Sequence, residues 1–179
     1  MKLTGQRGFT VLELMIAIAL LAILLSVAVP SFIAAIQNNR LASQGNELIT
    51  ALQVARSEAL KRSRPYAVCA SDTSEASPTC DGSWEEGWMV VSEAVGSQGS
   101  GSVTAVEIIR LWPAPPDEMT IESPNSETFV RYLERGDVDT SVGTFPINLE
   151  IRLDKCTRDS ARNVRVSATG RAVVERVDC

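Results

Sequence analysis

The chain has 179 residues, 17 basic and 22 acidic side chains, a net charge of −5 and no histidine. That length holds one modest domain beside any anchor. Without histidine there is no Ser-His-Asp triad, no Cys-His pair and no imidazole ligand. Gly-x-Ser-x-Gly elbows, phosphate-binding loops and CxxC pairs are missing as well, so the sequence assigns no catalytic, cofactor-binding or metal-binding residue and argues against an enzyme.

Residues 1–8 carry Lys2 and Arg7 and no acid, a bias that keeps the N-terminus cytoplasmic and sends the rest of the chain across a membrane. From Phe9 to Ile36 the only ionisable side chain is Glu13. These 28 residues make a helix of about 42 Å at the usual rise, enough to cross a hydrocarbon core of about 30 Å. A carboxylate inside such a segment is costly and calls for a partner, yet no Lys or Arg lies between Phe9 and Gln37. Cleavage after Gly8 would supply one. The new amino group of Phe9 would sit one helical turn before Glu13, within reach in the same chain or a neighbouring one. A secretory signal would instead have a shorter apolar core followed by a small-x-small site; here the run is twice that length and the glycine precedes it.

Gly8, Phe9, Thr10, Leu12, Glu13, Leu14 and Ile16 resemble the class III signal of type IV pilins and type II secretion pseudopilins. The resemblance implies cleavage between Gly8 and Phe9 by a prepilin peptidase, N-methylation of Phe9, and a role for Glu13 in the registration of subunits during assembly.

The helix is predicted to run from Phe9 to Arg64, kinked at Pro30 and ended by Pro65. Beyond Gln37, Leu41, Leu48, Leu52, Ala55 and Ala59 fall on one stripe, and Glu58 can pair with Lys61 or Arg62 one turn on. The chain therefore divides into a leader (1–8), a transmembrane or filament-core helix (9–36), an amphipathic helix packed on a domain (37–64), and a β-rich periplasmic or pilus-surface domain (65–179).

Eight short apolar runs follow: Tyr66–Ala70, Trp88–Ser92, Val106–Trp112, Met119–Glu122, Thr128–Leu133, Ile147–Leu153, Asn163–Ser167 and Ala172–Val177. Alternation is clearest at Ile147, Leu149, Ile151 and Leu153, the pattern of a half-buried strand. Gly-, Ser- and Pro-rich breaks separate them, and Gly96–Ser102 reads as the most mobile loop. The expected fold is α+β: a long N-terminal helix packed on mainly antiparallel strands. Trp84 and Trp88 flank Gly87 and suit the core of that domain.

Four cysteines, Cys69, Cys80, Cys156 and Cys179, allow three connectivities. Outside the cytoplasm two disulfides are the natural reading. Cys69–Cys80 would close a polar loop and Cys156–Cys179 would hold the chain terminus. Charge is divided unevenly. Residues 65–151 hold 15 acids and 3 bases, whereas 152–179 hold 4 acids and 7 bases, so only the tail could attract a polyanion.

The segment Leu52-Gln53-Val54-Ala55-Arg56-Ser57-Glu58-Ala59, the Trp84-x-x-Gly87-Trp88 stretch and the closing Val166-Ser167-Ala168-Thr169-Gly170-Arg171 resemble the FimU/FimT-like minor pilins and the GspH-like pseudopilins. That resemblance implies a low-abundance pilin that helps initiate a type IV pilus near its tip and supports twitching motility. It would wait in the inner membrane with its domain in the periplasm. Its implied partners are other minor pilins, the major pilin, the prepilin peptidase and the inner-membrane assembly platform. The alternatives are a GspH-like subunit of type II secretion and a DNA-capturing FimT-like pilin. DNA contact would fall to Arg165, Arg171 and Arg176, but the family's Gly-Arg-x-Arg turn here reads Gly170-Arg171-Ala172-Val173 and lacks its second arginine.

Overall fold

A computed structural model describes residues 9–116, 118–154 and 161–179. Two compact units divide between Asn39 and Arg40. Helix α1, Val11–Arg62, runs through Pro30 as a single element. In the first unit its apolar side chains from Val11 to Ile36 are exposed, and an 18-residue window reaches a mean hydropathy of 2.8 with none of it buried.

In the second unit the helix face is set by size as much as by polarity. Leu41, Gly45, Leu48, Ala51, Leu52, Ala55 and Ala59 are buried, and each fully buried leucine contributes roughly 1.5–3 kcal/mol relative to exposure. Gly45 is part of the fit, since a Cβ there would lie 3.3 Å from Val174 Cγ1. The helix ends where Ser63 turns left-handed, at φ 48°, and Pro65 excludes a helical Arg64. Lys61 and Arg62 in the last turn both reach Glu58, at 3.3 and 3.0 Å, and both favour the negative end of the helix dipole.

Eight strands follow: β1 (Tyr66–Ala70), β2 (Gly87–Ser92), β3 (Glu107–Pro113), β4 (Met119–Glu122), β5 (Phe129–Tyr132), β6 (Ile147–Leu153), β7 (Ala161–Val166) and β8 (Ala172–Val177). They form two antiparallel sheets, ordered β3-β2-β1-β5 and β4-β6-β7-β8. The α+β expectation holds, with strand positions within about two residues of the sequence reading, and the strands divide into two sheets, which local pattern does not specify. One core joins the helix stripe to the inner faces of both sheets, with Trp88 opposite Trp112 in register and Trp84 beside them. The Trp84 indole N–H donates to the carbonyl of Glu127 at 2.8 Å.

In the second sheet β6 alternates buried and half-buried positions, as a strand with one solvated face should. The first sheet does not, because β1 and β2 are buried at every position. Its outer face, Ala67, Cys69, Met89 and Val91, packs under Cys80, Val103 and Phe129. Two loops therefore cover it. One is fastened by the Cys69–Cys80 disulfide, with Cα atoms 5.4 Å apart. Cys156 lies outside the described residues.

The other covering loop corrects an expectation. Gly96–Ser102 is held by Arg131, a β5 residue whose side chain is fully buried. Its guanidinium donates to Glu93 Oε2 (2.6 Å) and Oε1 (2.9 Å), Asp139 Oδ2 (3.2 Å), and the carbonyls of Ser100 and Ser102 (2.8 Å each). All five N–H donors of the fork are used. Asp139 in turn accepts the Gly99 N–H at 2.7 Å, and the Phe129 ring lies 4.9 Å from the guanidinium carbon. Glycine content suggested mobility, but buried charge holds the loop.

Candidate functional site

Glu13 lies at the start of α1. The Thr10 N–H donates to Glu13 Oε2 at 2.9 Å, the Thr10 hydroxyl to the same oxygen at 3.1 Å, and the Glu13 N–H to Thr10 Oγ1 at 3.2 Å. This is a reciprocal capping box, in which two residues satisfy each other's unpaired helix-end donors. Its Thr-x-x-Glu signature is legible in the sequence at Thr10 and Glu13. In the single chain the acid thus has a second occupation: it closes the N-terminus of α1 and sits where the helix dipole favours negative charge. Phe9 is exposed; Gly8 lies outside the described residues.

In the second unit, Arg56 of the Leu52–Ala59 segment binds two loops to the helix. Its Nε–H donates to the carbonyl of Gly136 at 2.9 Å and its Nη2–H to that of Thr169 at 3.0 Å. The first loop follows β5 and the second is the β7–β8 turn, so one side chain ties both sheets to α1. The turn is close enough to require glycine. Gly170 has φ +80°, and a Cβ there would meet the Gly136 oxygen at 2.1 Å and Arg56 Nε at 3.1 Å. Gly170→Ala is expected to destabilise the domain by about 2 kcal/mol or more, from left-handed strain plus the displaced loop, measurable as a lower urea midpoint. Next to Arg56, burial pushes the Tyr132 hydroxyl well above its ordinary pKa, and the Arg56 charge offsets this only in part.

The three arginines expected for DNA contact do not share a surface. In the β7–β8 register Arg165 stands opposite Val173 and Arg162 opposite Arg176. Side chains alternate faces along a strand, so Arg176 shares the face of Val174, which packs on Gly45, while Arg165 points away from it. Arg165 and Arg171 do line one concavity, but Glu175 lines it too. Among the described residues no group of His, Cys, Asp and Glu could hold a metal ion.

Comparison with known proteins gives two family matches. Residues 44–170 match the family described as type II transport protein GspH, and residues 3–29 match the prokaryotic N-terminal methylation motif. No curated protein matches the chain. Two crystal structures of the type IV minor pilin FimU of Pseudomonas aeruginosa share the fold. One, in space group P21, is 20% identical with a TM-score of 0.58, covering 76% of this chain and 89% of that one. The other, in space group P65, is 19% identical with a TM-score of 0.55, covering 75% and 92%.

Proposed function

The chain belongs to the GspH family of pilin-like proteins, and from that premise we propose that it is a minor pilin that helps initiate type IV pilus assembly at or near the tip. The observation that carries this reading is the methylation motif over residues 3–29 running into an exposed apolar helix, in one chain with a GspH-type domain. Family members assemble with other pilins through the membrane machinery. Here the prepilin peptidase cuts between Gly8 and Phe9, the new Phe9 amine is methylated, and the apolar half of α1 holds the chain in the inner membrane until extraction. The domain stands in the periplasm meanwhile, where the Cys69–Cys80 bond is stable.

Glu13 sets register during extraction. In a bundle of apolar helices an ammonium and a carboxylate each need the other, because a buried charge left unpaired is strongly unfavourable. The neighbouring subunit supplies the amine as readily as the same chain does.

The family description itself favours a second reading, a subunit of type II secretion. Deleting the gene in its native cells separates the two. A minor pilin leaves cells without surface pili or twitching and with exoproteins secreted normally. Loss of secretion with pili intact would overturn the pilus reading. DNA capture has the weakest support, since Arg176 and Arg165 face opposite sides of the sheet and Glu175 stands beside Arg171.

A further inference from the structure

Between α1 and the β7–β8 turn lies a cavity of about 190 Å³ whose polar lining is one-sided in charge. Gln53, Arg56, Tyr132 and Arg171 line it, with Gly170 and Ala172 among its walls, and among the described residues no acidic one lines it. Arg56 spends two of its five N–H donors on Gly136 and Thr169. Among the described residues its remaining donors have no acceptor. The Tyr132 hydroxyl is fully buried and unpartnered, which is rare for a buried polar group, and it lies close enough to Arg56 to feel its charge. Arg171 is exposed at the mouth.

We propose that this cavity receives a carboxylate, carried on an acidic side chain of a neighbouring subunit, with Arg56 and Arg171 as its donors. A guanidinium fork presents two parallel N–H bonds to a planar carboxylate. The size suits the end of one side chain. A polyanion is disfavoured, because residues 65–151 hold 15 acids against 3 bases and repel an extended negative backbone. The identity of the neighbour rests on the pilin reading; the chemistry of the cavity does not.

The test uses full-length protein in detergent micelles, with the Arg56 Nε–H and Gly170 amide followed by NMR. The probes are a short capped peptide with a single glutamate, its glutamine counterpart, inorganic phosphate and a short DNA duplex. The expected result is a saturable shift of both signals with the glutamate peptide and none with the glutamine one. Arg171→Ala is expected to weaken that binding about tenfold, a charge-assisted hydrogen bond being worth about that much. Arg171→Ala removes an exposed side chain and leaves the fold in place, so its effect separates binding from stability. No saturable shift, equal shifts with both peptides, or saturation by phosphate or DNA at lower concentration than by the glutamate peptide would overturn the assignment. A chain that binds the glutamate peptide but supports secretion instead of piliation would sink the pilus reading and leave the cavity's role standing.

Discussion

Replacing Arg131 with Met is expected to lower the stability of the domain by about 3–5 kcal/mol, because it strands two carboxylates that this guanidinium neutralises. Glu93 and Asp139 are both buried, and the Ser100 and Ser102 carbonyls would lose their donors in the same step. Arg131→Lys keeps the charge but not the fork, and should fall between. Urea denaturation gives the magnitude. Proteolysis gives the location, since Gly96–Ser102 should become the first cleavage site in the Met variant. A stability change under 1 kcal/mol would mean that the carboxylates find water when the arginine is gone.

The same cluster sets the response to acid. Burial alone would raise the Asp139 carboxyl; hydrogen bonds from the Gly99 amide, the Ser141 hydroxyl and amide, and Arg131 outweigh it and hold the group below the usual carboxylate range. A carboxyl depressed on folding contributes stability that is present above its unfolded value of about 3.9 and is lost as pH falls through the lower folded value. The domain should therefore keep this contribution down to about pH 4 and lose it below. In Asp139→Asn that part of the acid dependence should vanish from denaturation curves.

Glu13→Leu should leave cleavage after Gly8 intact while reducing incorporation into pili by at least about tenfold, since breaking a buried charge pair exceeds the loss of one ordinary hydrogen bond. The capping box makes Glu13→Gln the sharper variant. An amide oxygen can still accept the Thr10 N–H and close the helix, but it brings no charge to an ammonium. If charge pairing carries assembly, the Gln variant fails like the Leu variant. Pili containing normal amounts of Glu13→Gln would assign the residue to helix capping alone.

Local pattern made most of the fold legible. The Leu41–Ala59 stripe, the Ile147–Leu153 alternation and the stop at Pro65 are signals that a few neighbouring residues carry by themselves. Arg131 shows what such signals miss. It reads as one of three bases in an acidic stretch, and its partners lie 38 residues before it and 8 after, so only the assembled sheet reveals that it is buried. The strand Phe129–Tyr132 shows no alternation in burial, because both its faces are covered, and covering loops leave no periodic trace. The arginine set 165, 171 and 176 misled for a related reason. Charge density along the chain suggested one surface, whereas an odd number of residues between 165 and 173 and between 162 and 176 fixes pairing and face only once the hairpin register is known. The Arg56 cavity lies beyond any such reading, because Arg56, Tyr132 and Arg171 come from a helix, an edge strand and a turn.

Mass spectrometry of the protein taken from pili or membranes of its native cells tests the central claim most directly. The account predicts a chain that begins at Phe9 with a methylated amine facing Glu13. An intact N-terminus at Met1, or a cut well beyond Phe9, would contradict it.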